Sequence, residues 1–319
     1  MQTADSARDG SGDGHPAPTT IGGRSFRWGE RTFVMGVLNV TPDSFSQDGL
    51  LAANRADANP FDADPAASLA DPIARAVSLA KAMVEDGADL LDIGGESTRP
   101  GHTPLDAAAE RARVVPVVAA VRAALPTIPI SIDTTKPDVA EAGLAAGADL
   151  LNDVWATAPD GDLARVAAAH GVPLILMHNR LEPRYTTLMP EILADLQAAI
   201  QRALDAGVLQ DDLIVDPGFG FGKTPAHNVE LLRNLAALRL LGRPILLGTS
   251  RKSTLGRILD LPVGERLEGT LATTALGIAS GVDLVRVHDV RANVRVARVS
   301  DAVIRGTWSP EGAATGGQP

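Results

Sequence analysis

An α/β fold, a single (β/α)8 TIM barrel, follows from three features of this 319-residue sequence. Short apolar runs alternate eight times with Ala-rich stretches of helical periodicity. The fragment Gly87-Ala88-Asp89-Leu90-Leu91 recurs as Gly147-Ala148-Asp149-Leu150-Leu151 and as Gly281-Val282-Asp283-Leu284-Val285, each time after an Ala-rich helix. Hydrophobic residues make up 45% of the chain but aromatics only 3%. The core is therefore Ala, Val, Leu and Ile, as where helices pack on buried parallel strands. One such barrel takes roughly 250 residues. A doubly wound open sheet is the alternative, but no Gly-x-Gly-x-x-Gly follows the first strand.

The elements are expected in this order. Residues 1–20 are rich in Gly, Asp, Ser, Ala and Pro and are read as a disordered tail, as are residues 309–319, leaving 21–308 as the barrel. Ile21–Glu30 suits a short hairpin capping the barrel floor. Phe33–Val40 is the first strand, ended by Thr41-Pro42 because proline lacks an N–H and biases Thr41 away from helix. The polar segment Leu50–Ala70 is a long loop of the kind that usually carries function or stays disordered. Helix Ile73–Glu85 leads into strand two, which ends at Ile93. Leu105–Arg113 and Pro116–Leu125 are two helical pieces, with Pro116 at a first helical position. Strands then fall at Ile128–Ile132, at the segment that Gly147–Asn152 leads into, and at Pro173–Met177, Leu213–Val215, Ile245–Leu247 and Gly281–Val287. The helices between and after them are Asp138–Ala146, Asp162–Ala169, Pro190–Ala206, Val229–Leu238, Arg266–Ser280 and Val290–Ile304.

Bulk properties exclude several function classes. A formal charge of −10 argues against a nucleic-acid binder, which shows a basic face. Anionic ligands must then be held by a few local Arg and Lys. Zero cysteines exclude disulfides and thiolate metal sites and fit a reducing, cytoplasmic setting. No apolar run approaches the ~20 residues of a membrane span, and residues 1–20 lack a signal-peptide core.

Active sites of such barrels lie at the C-terminal strand ends. Asn39, Asp92 with Glu96, Asp133, Asn152 with Asp153, His178, Asp216, Arg251 with Lys252, and Arg286 with His288 occupy those ends. A single Asp or Asn there is often a helix cap or a turn residue. One or more after every strand is hard to explain by capping alone. Asp133, Asn152, Asp216 and Lys252 offer acceptors and donors suited to a flat heterocycle with many hydrogen bonds, and their burial cost lets them specify it. Asn39, Arg286 and His288 suit phosphate oxygens and a hard metal. Arg286 and His288 are two apart and so face one side of a strand. Gly218-Phe-Gly220-Phe-Gly222-Lys223-Thr224 ends like a P-loop, but Pro217 stands where the leading glycine belongs. His178 reads equally well as a structural histidine and is left out of the catalytic set.

Eight stretches together resemble the dihydropteroate synthase family. They are Leu38-Asn-Val-Thr-Pro-Asp-Ser-Phe45, Asp92-Ile-Gly-Gly-Glu-Ser-Thr-Arg-Pro-Gly101, Ser131-Ile-Asp133-Thr134, Asn152-Asp-Val154, Leu176-Met-His178, Asp216-Pro-Gly-Phe-Gly-Phe-Gly-Lys223, Gly248-Thr-Ser-Arg-Lys-Ser253 and Arg286-Val-His-Asp-Val290. They keep the family's order. The segment Leu50–Ala70 is longer than usual for the family, and the residues after His178 depart from its commoner pattern.

The resemblance implies condensation of 7,8-dihydropterin-6-ylmethyl diphosphate with 4-aminobenzoate, with Mg2+, in a cytoplasmic homodimer joined through late barrel helices. It implies a catalytic set of Asn39, Lys252, Arg286 and His288. Pterin recognition falls to Asp133, Asn152, Asp216, Lys252 and Arg286. Diphosphate contact falls to Asn39, Thr98, Arg286 and His288, with Asn39 also facing the metal. Arg99, Pro100, Phe221, Lys252 and Ser253 form the aminobenzoate pocket, and the first two loops close over the site to exclude water. A methyltetrahydrofolate-binding methyltransferase domain is the rival enzyme. It needs neither the Ser-Arg-Lys-Ser segment nor Thr-Pro-Asp-Ser-Phe, and both are present. A non-catalytic pterin-binding paralogue is the third reading.

Overall fold

The computed structural model describes residues 15–40, 72–96, 105–156 and 162–309. The chain enters through an antiparallel hairpin, β1 (Thr19–Ile21) and β2 (Arg24–Phe26), in register Thr19↔Phe26 and Ile21↔Arg24. This hairpin starts two residues before the expected edge of the folded part. Thr19 is buried, donating its hydroxyl to Asp211 O and accepting from Trp28 Nε1 at 2.9 Å.

Eight parallel strands follow: β3 (Phe33–Asn39), β4 (Leu90–Gly94), β5 (Ile130–Asp133), β6 (Leu150–Asp153), β7 (Leu174–Met177), β8 (Leu213–Asp216), β9 (Leu246–Leu247) and β10 (Leu284–Val287). Their spatial order is β8-β7-β6-β5-β4-β3-β10-β9. A parallel bridge between Val215 and Ile245, with Val215 N–H donating to Pro244 O at 2.9 Å, joins the two ends. The sheet is thus a near-closed barrel, as the alternating pattern predicts, and not an open sheet.

Helices surround it: α1 (Pro72–Glu85), α2 (Ala107–Ala124), α3 (Pro137–Ala145), α4 (Asp162–His170), α5 (Leu188–Asp205), α6 (Pro225–Arg233), α7 (Ser253–Leu259), α8 (Leu267–Ala279) and α9 (Val290–Ile304). Three differ from expectation. The two pieces around Pro116 are one helix, α2, because Pro116 and Ala112 both lie on its exposed face. The carbonyl that proline leaves unpaired is therefore wet, while Val114, Val117, Val118 and Val121 keep the buried face continuous. Helix α6 starts earlier, at Pro225, where Thr224 and His227 form a reciprocal cap. Helix α7, directly after Lys252, was not legible in the sequence. Among the described residues no helix is long and apolar enough to cross a membrane.

The repeated Gly-x-Asp fragment has a physical cause. Gly87, Gly147 and Gly281 take φ of 101°, 110° and 95°, a turn region that favours glycine. The following aspartate clamps a residue at or beside the start of the preceding strand in the sheet from both sides. Asp89, Asp149 and Asp283 donate N–H to Val34, Ile130 and Ile245 carbonyls, and their carboxylates accept those same residues' N–H groups at 2.9, 2.8 and 3.0 Å. Arg31, Arg122 and Arg305 sit beside the three carboxylates.

Strand pleating then decides where the chemistry lies. Outward residues such as Leu91, Ile93, Ile130, Ile132, Leu151, Val215 and Val285 pack against the helices. Inward residues Met35, Leu90, Leu150, Ile175, Ile214, Leu246 and Leu284 meet Ile21, Phe26 and Trp28 of the hairpin region, which plugs the floor. Two positions on, the same inward face carries Asp92 after Leu90, Asn152 after Leu150, Asp216 after Ile214 and Arg286 after Leu284. The barrel interior is apolar below and polar above.

Candidate active site

The polar layer at the C-terminal mouth contains one tightly knit group. Arg286, projecting from β10, donates Nε to Asp92 Oδ2 at 2.5 Å and a second guanidinium nitrogen to Asp133 Oδ2 at 2.8 Å. Asn152 Nδ2 also points at Asp92 Oδ2, at 3.3 Å. Asp92 is fully buried, and among the described residues its Oδ1 has no hydrogen-bond partner. Burial opposes the Arg286 charge, but the two carboxylates outweigh it and hold its pKa above the ordinary value. Burial raises the Asp133 carboxyl, with the Arg286 charge opposing. Three of the expected residues, Asp133, Asn152 and Arg286, are thus brought together. The residue that joins them, Asp92, is placed at its strand end by the sequence but belongs to none of the expected catalytic or binding sets.

Asp216 and Lys252 lie on the β8–β9 side. Gly248 has no side chain there, and a Cβ on it would stand 3.8 Å from Arg286 Cβ and 4.0 Å from Asp216 Oδ2, so the two groups share one wall. Asp216 Oδ1 accepts from Gly218 N at 2.7 Å, and burial raises its pKa, with Lys252 opposing. Lys252 donates to Phe219 O and stands 4.4 Å from the Phe221 ring centroid, a cation–π distance. Burial pulls its ammonium down to about 8, with the Asp216 carboxylate opposing. Ser253 is exposed as the first residue of α7, next to Lys252.

Local backbone aims these groups. Arg251 takes φ 58°, rare for a residue with a side chain. It is held there by a fork-like pair with Asp289, by its N–H on Thr270 Oγ1 at 3.1 Å and by Arg266 donating to its carbonyl at 3.0 Å. The turn so fixed presents Lys252 and Ser253. The Ser250 hydroxyl engages His288 Nδ1 at 2.9 Å and accepts the His288 N–H at 3.2 Å, fixing that ring. Ser250 and Asp289 flank expected site residues, yet nothing in their spacing signals these pairings. Asn39 ends β3 partly buried, paired in register with Gly94 of β4.

His178 is structural in this arrangement. It is fully buried, with Nδ1 2.9 Å from Lys223 Nζ and Nε2 3.1 Å from Asp195. Glu96 accepts the Leu105 N–H at 3.3 Å and pairs with Lys136, in keeping with a role in holding loop ends. Thr98, Arg99 and Pro100, and the first loop with Asp43 and Asp48, lie outside the described residues.

Chemically, the mouth offers a carboxylate–guanidinium cluster beside a carboxylate and an ammonium, with the Phe221 ring next to the ammonium. Such a site grips a flat, hydrogen-bonding, partly anionic ligand. The family model described as "Pterin binding enzyme" matches residues 66–288. A dihydropteroate synthase of Clostridium beijerinckii is 48% identical over 286 residues, covering 89% of this chain and 99% of its own. A dihydropteroate synthase from Clostridium difficile, solved in the presence of pteroic acid, superposes with a TM-score of 0.79 at 45% identity, covering 88% of this chain and 99% of its own. One from Xanthomonas albilineans, solved with 4-aminobenzoic acid, gives 0.80 at 39% identity, covering 90% and 98%. The chain belongs to the dihydropteroate synthases, a transferase family of pterin-binding enzymes.

Proposed function

We propose that the chain joins 7,8-dihydropterin-6-ylmethyl diphosphate to 4-aminobenzoate, giving dihydropteroate and pyrophosphate. The observation that carries this reading is the Asp92–Asp133–Asn152–Arg286 cluster beside Asp216 and Lys252 at the barrel mouth. It is supported by relatives whose structures hold pteroic acid and 4-aminobenzoic acid.

Asp133, Asn152, Asp216 and Lys252 would recognise the pterin, since leaving such buried polar groups unpaired penalises a ligand without matching edges. In the free chain Asp133 shares Arg286 with Asp92. Arg286 therefore keeps a buried anchor when the pterin engages Asp133, and its face stays available for stacking. In the reaction the bond from the methylene carbon to the diphosphate oxygen breaks. A bond to the aniline nitrogen forms, and that nitrogen loses a proton. Negative charge grows on the leaving group and positive charge at the methylene carbon. Arg286, His288 and Asn39 would stabilise the former, and the Asp133 and Asp216 carboxylates the latter. The aniline nitrogen is uncharged, so no general base is assigned. Phe221, Lys252 and Ser253 would receive the aminobenzoate, together with Arg99 and Pro100, and Thr98 would help hold the diphosphate.

Among the described residues no three His, Asp or Glu side chains gather into a metal cage. Mg2+ usually takes one or two protein oxygens and completes its shell with water and substrate phosphate. The single Asn39 carboxamide oxygen fits that habit. When bound, the ion would act as a Lewis acid that neutralises diphosphate charge. We assign the chain to the cytoplasm, which suits a sequence without cysteine. We also assign it a homodimer through α8 and α9, whose side chains Leu276, Val299 and Val303 are exposed.

The deciding experiment measures pyrophosphate release from pterin diphosphate, with and without 4-aminobenzoate, before and after chelation of Mg2+. Dihydropteroate formation that is lost in Lys252→Ala and Asp216→Asn is expected. Tight pterin binding without product would replace the synthase reading with a binding paralogue.

A further inference from the structure

Lys223 lies behind the site and not in it. It ends the Gly218–Gly222 loop, and its side chain is 9% exposed. Its Nζ donates to Gly218 O at 3.1 Å and Phe221 O at 3.0 Å, and meets His178 Nδ1 at 2.9 Å. Three acceptors match the three donors of an ammonium, so none is left for a ligand. Burial lowers its pKa, with Asp216 opposing. In either protonation state at least two N–H donors remain, enough for the two carbonyls.

The histidine is itself fixed. Burial, reinforced by the Lys223 charge, lowers its pKa to about 3, so the ring is neutral and Nδ1 can accept. Nε2 then donates to Asp195, which is held in turn by Arg180 at 2.7 Å. The loop has little slack on this side. A Cβ on Gly218 would stand 1.8 Å from His178 O, and one on Gly222 would stand 2.4 Å from Arg180 O.

The other face of the same loop carries the site. Phe219 O accepts from Lys252, the Phe221 ring sits 4.4 Å from that ammonium, and a Cβ on Gly220 would press within 3.0 Å of Lys252 Cδ. Lys223 thus grips the carbonyls of Gly218 and Phe221, while Lys252 reads the intervening Phe219 carbonyl and the Phe221 ring.

Resting on the reading of Phe221 and Lys252 as the aminobenzoate pocket, we infer that Lys223 is a positioning residue. Through the Gly218 and Phe221 carbonyls it sets Phe221 and Lys252 for 4-aminobenzoate. It touches neither substrate. Of the pterin contacts, Asp133 on β5, Asn152 on β6 and Arg286 on β10 do not pass through this loop, whereas Asp216 takes the Gly218 N–H and Lys252 the Phe219 carbonyl. Its loss therefore acts more on 4-aminobenzoate, whose ring partner Phe221 the loop itself carries, than on the pterin.

The test compares wild type with Lys223→Met, Lys223→Gln and Lys223→Cys. The sequence holds no cysteine, so Lys223→Cys carries a single thiol. Aminoethylating it in the unfolded chain and refolding rebuilds an amine at nearly the lysine's reach. Each form is measured for kcat, KM of both substrates, equilibrium affinity for pterin diphosphate, and Tm.

In Lys223→Met the KM for 4-aminobenzoate should rise about tenfold with pterin affinity within about twofold of wild type, and aminoethylation should restore the KM. Lys223→Gln keeps two donors on a shorter arm and decides the matter if Lys223→Met does not fold; a rise of about threefold is expected. A folded Lys223→Met or Lys223→Gln with wild-type KM overturns the inference. So does equal loss of affinity for both substrates, or an aminoethylated chain that regains Tm without the KM. Wild-type protein that makes no dihydropteroate removes the functional reading itself. Normal wild-type turnover with unmoved variants removes only this inference.

Discussion

Arg286 Nε lies 2.5 Å from the Oδ2 of Asp92, a carboxylate with no exposed surface, while the same guanidinium reaches Asp133. Among the described residues, the inner anchor leaves Asp133 as the partner Arg286 must share with a ligand. In Asp92→Asn the shape is kept and the charge is lost, so Arg286 should lean toward Asp133 and block pterin entry. Misplacement of such a group by about 1 Å commonly costs on the order of a hundredfold in kcat/KM, and that is the expected loss. Stability should fall by less than the roughly 3–5 kcal/mol of a fully broken buried pair, since Asp133 remains. Steady-state kinetics and urea unfolding check both; wild-type kcat/KM in Asp92→Asn would remove the anchoring role.

Lys252 makes activity and stability respond to pH in opposite senses. Burial lowers its pKa from the ordinary 10.5 to about 8, with Asp216 opposing. If the ammonium serves binding, kcat/KM should decline as pH rises through about 8, and Lys252→Arg should remove that limb because arginine stays charged. The unfolded chain holds the lysine proton until about 10.5, so between about 8 and 10.5 it binds more protons than the folded chain. The contribution of this group to stability therefore rises with pH over that window and is lost as pH falls back through 8. A flat kcat/KM profile from about pH 7 to 9 would argue against a charged Lys252 in binding.

The last two helices expose Leu276 at 61%, Val299 at 67% and Val303 at 75%. Apolar side chains grouped on packed neighbouring helices commonly mark an interface. Sedimentation equilibrium should give a dimer, and Leu276→Glu with Val303→Glu should shift it to monomer while the barrel stays folded by circular dichroism. A monomeric wild type would remove the dimer assignment.

Much of this was legible in the linear chain, and the reason is periodicity. Alternation of apolar runs with Ala-rich helices, and the clamp that each Gly-x-Asp forms on the strand before it, are local or repeated signals, so the barrel could be read directly. The pleat extends the same logic to Asn152, Asp216 and Arg286, because a strand residue two beyond a core leucine or isoleucine must face the same interior. It extends also to Asp133, which stands two beyond the buried Ser131 and opposite in pleat to Ile130 and Ile132. Helix boundaries near prolines were less readable. Whether Pro116 breaks a helix depends on which face meets water, and only packing sets that face.

Tertiary structure alone decided how the site residues engage one another. Asp92 and Arg286 are 194 positions apart and meet only because barrel closure sets β3, flanked by β4 and β10, between them. Lys223 with His178, Ser250 with His288, and Arg251 with Asp289 likewise join residues from different strand ends. The sequence by itself determined which residue types crown the barrel and on which face they stand. Ring closure determined which carboxylate holds which cation, because that choice depends on distances across the mouth that no local pattern encodes.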